Sequence, residues 1–299
     1  MRNVIVIGAN GFLGRNLAVL LAQRGYNVLA LVRDAESFSE KEKGLQCRAF
    51  TFDTLSDIVV RGYDTIFNMA WSGVGAAYNN EPAVQVQNIS YSLKVLEFAK
   101  RNEIRRVIVP GSAAEASCGQ GAITGNEAPA PSDIYSAAKV ASRYLCRTYA
   151  RQHNIELIWT LITSIYGPGR DDNNIISYTV RTLLEGGRPS YTGLEQQWDF
   201  LYVDDLMEAL IALGEKGVAG KVYPVGSGES RRLRDYVCTL RNMINPELPL
   251  GIGERPYKNP GKIDNQIMDI SELVRDTGFT PKVSFEDGAG RIVRNFLLK

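Results

Sequence analysis

The chain has 299 residues, 44% of them hydrophobic and 22% charged, ordinary proportions for a globular protein long enough for one large or two modest domains. Its 34 basic and 33 acidic side chains leave a formal charge of +1, so no bulk field draws nucleic acid or an anionic membrane toward it. With His153 as the only histidine and Cys47, Cys118, Cys146 and Cys238 widely scattered, a Ser-His-Asp hydrolase and a His- or Cys-built metal site are excluded or nearly so.

The cysteines read as reduced thiols, and His153, in RQHN, as a solvated helix-end residue. Met1 runs straight into VIVIG with no leader pattern, and no apolar stretch reaches the ~18 residues of a membrane span, so a cytoplasmic protein is expected.

Val4 to Ile7 is an apolar run without alternation, as expected of a strand buried on both faces. Gly8, Gly11 and Gly14 follow at once in G-A-N-G-F-L-G. They open a helix whose Leu13, Leu17, Leu20 and Leu21 share one face and which Gly25 ends at C′. Glycine there permits a tight turn and lets backbone amides and the helix N-terminus approach a pyrophosphate, which predicts a dinucleotide site including Phe12 and Leu13.

The next run, Val28 to Val32, ends in Val32-Arg33-Asp34. A chain that binds NAD usually places Asp or Glu here, on the adenosine ribose. Arg33 offers a 2′-phosphate a bidentate partner instead, so NADP(H) is expected ahead of NAD(H). In the alternative, Arg33 is a surface residue and Asp34 takes the ribose. Asp53, after the third strand, is placed against the adenine. The run Thr65 to Met69 brings Met69, Ala70 and Trp71 to the pyrophosphate and nicotinamide riboside.

Val86 to Lys100 and Tyr135 to Gln152 carry helical patterns, and between them Val107 to Val109 leads into Pro110-Gly111-Ser112. Tyr135 and Lys139 stand one helical turn apart on one face, where an ammonium lowers a phenol pKa normally near ~10. Such a tyrosine passes a proton to or from an alcohol or ketone while hydride moves at the adjacent carbon. Ser112, just past a strand's carboxyl end, can hydrogen-bond the same oxygen. Leu157 to Ile162 completes an alternation of strand and helix that implies right-handed βαβ units and a Rossmann-type, doubly wound parallel sheet. Beyond Tyr166 the texture changes: YGPGRDDNN, EGGRP and GSGES interrupt shorter elements. The expected division is a dinucleotide-binding domain over 1–166 and a smaller α/β domain, mainly 167–299, across the sheet's carboxyl edge, with some of its segments returning to the first.

Assembled, these residues resemble the extended short-chain dehydrogenase/reductases that act on nucleotide sugars, over essentially the whole chain. Asn88 fits the asparagine of the family's fourth helix, which the resemblance places at the dinucleotide, and Ile165-Tyr166-Gly167-Pro168 its turn into the substrate domain. Asp199-Phe200-Leu201-Tyr202-Val203-Asp204-Asp205 looks like its R-D-F-I-x-V-x-D segment, and Gly226-Ser227-Gly228 like its late glycine turn. Departures are informative. Family dehydratases follow the catalytic hydroxyl with Asp-Glu, whereas Ser112 is followed by Ala113-Ala114-Glu115, which argues against dehydration. The usual tyrosine and glycine are blurred in Glu115-Ala116-Ser117-Cys118-Gly119, Trp198 stands where many members carry arginine, and Ser164 replaces an asparagine. Both of the last two changes imply an altered sugar-nucleotide pocket.

The resemblance implies a nucleotide-sugar substrate, with Asn174, Tyr202, Arg231 and Arg255 as further candidates for diphosphate or sugar contacts. It also implies a homodimer formed by the helix after Asn88 and the one carrying Tyr135. The leading expectation is NADPH-dependent reduction of a nucleotide-linked 4-keto-6-deoxyhexose, a CDP- or dTDP-sugar. Two alternatives stay open: a 4-epimerase that retains its dinucleotide, and a dinucleotide sensor without chemistry.

Overall fold

A computed structural model describes residues 1–74, 78–116, 121–170, 174–257 and 265–298. In chain order the first elements are β1 (Asn3–Ile7), α1 (Phe12–Gln23), β2 (Asn27–Val32), β3 (Leu45–Ala49), β4 (Thr65–Asn68), α2 (Pro82–Arg101), β5 (Arg106–Pro110), α3 (Ile134–Gln152) and β6 (Glu156–Ile162). There follow β7 (Ser164–Tyr166), α4 (Ile175–Leu184), β8 (Gln197–Trp198), β9 (Phe200–Tyr202), α5 (Val203–Lys216) and β10 (Val222–Val225). β11 (Arg231–Arg232), α6 (Leu233–Ile244), α7 (Ser271–Thr277) and α8 (Phe285–Leu297) complete the chain.

Seven strands pair in parallel in the order β3-β2-β1-β4-β5-β6-β10, so the chain is a doubly wound α/β fold of the Rossmann type. In β1, Val4 and Val6 face Leu17 and Leu21 of α1 and Leu210 and Leu213 of α5, while Ile5 and Ile7 face Val95, Leu96 and Phe98 of α2. Helices therefore cover both faces, which is why the run shows no alternation. β3 lies at the sheet's edge with Gln46, Cys47, Arg48 and Ala49 exposed, so no apolar run announces it.

α1 ends in a Schellman motif: the Tyr26 amide donates to Leu21 O and the amide of Gly25, at φ 83°, to Ala22 O. His153 is the C-cap of α3 but does not stand free in solvent. It is half-buried, with its ring 4.3 Å from that of Tyr149. β10 and α5 come from late in the chain yet belong to the sheet and its helical cover, α5 packing on α1 and β5. The remaining late elements form two small sheets, β7 with β9 and β8 with β11, and a layer of α4, α6 and α8. Strand order reverses between β1 and β4, and a crevice opens there along the carboxyl ends.

Candidate active site

The crevice has a volume of about 920 Å³ and is walled on one side by the ends of β1, β4, β5 and β6 and on the other by segments around β7, α4 and β8. Gly11, Phe12, Leu13 and Gly14 line it from below. Gly8, behind them, has φ 82°, and a Cβ there would stand 2.8 Å from the Ala70 backbone. A Cβ on Gly14 would collide with Gly8 O. Gly11 is the N-cap of α1 and supplies no side-chain cap, so the first amides of the helix are left for a ligand. This cradle fits a pyrophosphate.

Met69, Ala70 and Trp71 also line the crevice, just past β4. The loop they begin is stapled by the buried polar face of α2. Gln85 accepts from Trp71 Nε1 (3.0 Å) and donates to Gly73 O (2.9 Å); Asn88 accepts from the Ser72 amide (2.9 Å) and donates to Ser72 O (2.8 Å). Asn88, expected at the dinucleotide, is thus buried behind the lining and spends its amide on the loop. Asp53 stands apart as well: its side chain is 89% exposed and pairs with Lys94 at 3.0 Å. Arg33 is exposed just after β2 and forms no ion pair among the described residues, in a turn that Asn10 ties together through Asp34 O and Ser37 Oγ. Asn68, at the end of β4, was not anticipated; it lines the crevice with a buried Oδ1 that has no partner.

Ser112, Tyr135 and Lys139 converge on one stretch of this wall. Asp133 caps α3 by accepting from the Ser136 amide (2.8 Å), while Ser136 Oγ accepts from the Asp133 amide (3.1 Å). That fixes the start of the helix two residues before Tyr135, whose own amide donates to Asn79 O (2.8 Å). Ser112 hydrogen-bonds the Tyr135 side chain. Lys139 is buried; its Nζ donates to Pro110 O (2.8 Å) and lies 3.7 Å from the centre of the Trp71 ring.

The expected lowering of the phenol pKa is corrected here. Burial pushes Tyr135 up to about 12, outweighing the hydrogen bond from Ser112, because the Lys139 ammonium is turned to Pro110 and Trp71 and stands 5.9 Å from the Tyr135 ring centre. Burial also pushes Lys139 down, against the opposing charge of Glu115.

On the facing wall Ser164, Asn174 and Trp198 line the crevice as expected. Trp198 Nε1 donates to Ser164 Oγ (3.0 Å), which donates to Gln266 Oε1 (3.2 Å), and Asn174 caps α4 through the Ile176 and Ser177 amides (3.0 Å each). Three other expectations do not reach it. Tyr202 is buried with its ring edge-on to Tyr166 and Arg291 over its face, Arg231 is turned onto Glu286 and Glu229, and Arg255 is held by Ser190 Oγ (2.8 Å) and Tyr178.

Phe200, Leu233, Arg170 and Gln266 line it unannounced, because no local pattern marks a residue that only a long-range contact brings there. The two late motifs meet each other: Asp199 accepts from the Ser227 (2.9 Å) and Gly228 (3.1 Å) amides, and burial raises its carboxyl to about 6. Ser117, Cys118 and Gly119, and residues 171–173 of the turn-rich stretch, lie outside the described residues. Among the described residues no cluster of three or more His, Cys, Asp or Glu could hold a metal, and no helix is long and apolar enough to cross a membrane.

The profile of the NAD dependent epimerase/dehydratase family matches residues 4–226. The chain belongs to this family. Among its relatives, Protein CapI of Staphylococcus aureus is 25% identical over 332 residues, covering 98% of each chain. A dTDP-glucose 4,6-dehydratase of Shigella flexneri is 30% identical over 183 residues, which span 58% of this chain and 50% of the dehydratase. In shape the chain is similar to the UDP-N-acetylglucosamine 4-epimerase of Methanobrevibacter ruminantium in complex with UDP-N-acetylmuramic acid (TM-score 0.87, 22% identity, 99% and 98% of the two chains). It is also similar to the UDP-glucuronic acid 4-epimerase of Bacillus cereus in complex with UDP-glucuronic acid and NAD (TM-score 0.86, 20% identity, 99% and 100%). At these identities the structures speak to the fold, and the family assignment makes the chain an enzyme of the extended short-chain dehydrogenase/reductase type.

Proposed function

We propose that this member of the family reduces a nucleotide-linked 4-keto-6-deoxyhexose, a CDP- or dTDP-sugar, with NADPH. The observation that carries the reading is the side-chain set over the reacting carbonyl. Ser112 and Tyr135 converge there, while the two positions after Ser112 are Ala113, buried, and Ala114, on the lining. Removal of water from a sugar needs an acid at the departing hydroxyl, and neither alanine supplies one. The exposed Arg33 guanidinium, with no acidic partner among the described residues, supports NADPH over NADH.

The cradle of Gly8, Gly11 and Gly14 would hold the pyrophosphate and Trp71 would flank the nicotinamide riboside. A bound dihydronicotinamide supplies the hydride. Tyr135, with its phenol at about 12, is protonated at neutral pH and donates that proton to the ketone oxygen. Ser112 Oγ steadies the same oxygen, and Lys139, which faces Pro110 O and the Trp71 ring, would hold the nicotinamide ribose. On the facing wall, Ser164, Asn174 and Trp198 orient the nucleotide sugar. In this reading the enzyme is a cytoplasmic homodimer. Val86 of α2 and Tyr144 and Leu145 of α3, exposed by 61%, 53% and 48%, offer its seam an apolar face.

A 4-epimerase is the second reading, favoured by the names of the two solved structures described above. It uses the same residues in both directions with no net consumption of dinucleotide. The deciding assay offers CDP- and dTDP-linked 4-keto-6-deoxyglucose with NADPH, and with NADH as comparison. Stoichiometric NADPH oxidation is expected. Absence of consumption with either ketone, while a dinucleotide stays on the purified protein, would overturn the reductase in favour of the epimerase.

A further inference from the structure

The Lys139 ammonium is enclosed by groups from two other parts of the chain. Its Nζ donates to Pro110 O (2.8 Å) at the end of β5 and lies 3.7 Å from the centre of the Trp71 ring, in the loop after β4. The lysine is buried yet lines the crevice, as Trp71 does. An ammonium carries three N–H groups. Pro110 O takes one, the indole face receives the charge from a second side, and the crevice side is left for a ligand.

The indole is fixed in its turn. Trp71 Nε1 donates to Gln85 Oε1 (3.0 Å), and Gln85, fully buried on α2, is itself held by donating to Gly73 O (2.9 Å) and Tyr78 O (3.1 Å). The Trp71 ring stands nearly perpendicular to that of Tyr135 (85°, centroids 6.1 Å apart), and the ammonium is 5.9 Å from the Tyr135 ring centre. A tryptophan face is the strongest aromatic partner for an ammonium, and the contact gains when water is excluded, as it is around so deeply buried a lysine. An aliphatic side chain would fill the same space without attracting the charge.

We propose that Trp71 is a positioning residue: its face holds the Lys139 ammonium beside Pro110 O and so sets where the remaining N–H groups meet the hydroxyls of the dinucleotide's ribose. Gln85 acts one step further back, by setting the plane of the indole. The larger part of what Trp71 contributes to dinucleotide binding then passes through Lys139, and the smaller part through flanking the riboside. Packing alone predicts otherwise, because an indole that merely supports its loop contributes the same whether residue 139 is lysine or methionine. This rests on the proposed hold of Lys139 on the ribose, but not on which sugar is bound or on whether turnover is reduction or epimerisation.

The test is a double-mutant cycle on dinucleotide affinity, measured by titration calorimetry with NADPH on the dinucleotide-free whole chain and no sugar present. Trp71→Leu should weaken NADPH by about ten-fold, the scale of one partly desolvated cation–π contact. Trp71→Phe keeps a weaker aromatic face and should lose only about two- to four-fold. Lys139→Met should weaken NADPH as well, and in that background Trp71→Leu should cost less than about two-fold more. Should Trp71→Leu not fold, Trp71→Phe takes its place in the cycle, and its smaller loss should vanish beside methionine. An equal loss from the Trp71 variant in both backgrounds overturns the proposal and leaves the ribose role of Lys139 standing. Lys139→Met binding NADPH with wild-type affinity overturns that role and the proposal together. Failure of both ketones in the assay above, with the cycle as expected, overturns only the sugar reading.

Discussion

The two walls of the crevice are built from different materials. The wall formed by β1, α1 and the loop after β4 is mostly backbone: Gly8 at a positive φ, Gly14 against Gly8 O, an uncapped helix start, and a loop whose peptide groups are held by Gln85 and Asn88. The opposite wall is mostly side chain: Trp198 on Ser164, Ser164 on Gln266, partners 34 and 102 residues apart in the chain. A backbone cradle admits only glycine at certain points, so it writes itself into a short motif. A wall of side chains has no such rule, and its composition depends on which loops arrive. The first suits the part of a ligand common to many enzymes, and the second the part that differs.

Several experiments would break or sharpen this contrast. The largest effect is expected at the junction of the walls: Tyr135→Phe should lower kcat by about 10²- to 10⁴-fold with an unchanged melting curve. Turnover near the wild-type rate would leave the constellation without its proton donor. On the backbone wall, Arg33→Ala should weaken NADPH by about 10- to 100-fold, the span of a lost charge-assisted contact, and leave NADH within about two-fold. Equal losses for the two dinucleotides would show Arg33 to be an ordinary surface residue.

On the side-chain wall, the Asp199 turn should answer to pH. Burial raises the folded carboxyl to about 6 from an unfolded value near ~4, so its stabilising contribution is complete below pH ~4 and declines as pH rises through about 6. The advantage in Tm of wild type over Asp199→Asn should accordingly shrink between those limits in calorimetry, and a gap independent of pH would contradict the assignment. The smallest effect is expected of Tyr202→Phe. The ring is packed edge-on to Tyr166 and lies under the Arg291 guanidinium, 5.1 Å away, so kcat/KM should stay within about two-fold of wild type. A large rise in KM would return Tyr202 to the crevice.

Legibility followed the same division. The glycine motif, the strand that precedes it, and the Ser112, Tyr135 and Lys139 set were readable because each is local: a turn, a run, a helical turn. Trp198 and Ser164 were readable only as departures from a family pattern. Tyr202, Arg231 and Arg255 misled for one reason. Polar and aromatic residues in a late segment look available for a ligand until Tyr166, Glu286 and Ser190 are seen beside them. Glu115 was read only as part of the stretch after Ser112 where the Asp-Glu pair is missing, and its burial and its pairing with Arg143 have no sequence signal. The direction of the Tyr135 shift was also hidden, since spacing places an ammonium one turn away but does not say which way it points.

The sequence by itself determined a doubly wound sheet, the position of the glycine turn after β1 and the grouping of Ser112, Tyr135 and Lys139. All of these depend on periodicity, glycine sterics or neighbours within one helical turn. Only the tertiary structure decided which side chains complete the facing wall, that β10 and α5 return to the sheet, and that burial governs the charges of Tyr135, Lys139 and Glu115. Burial and long-range contact are properties of the whole packed chain, and no stretch of residues carries them alone.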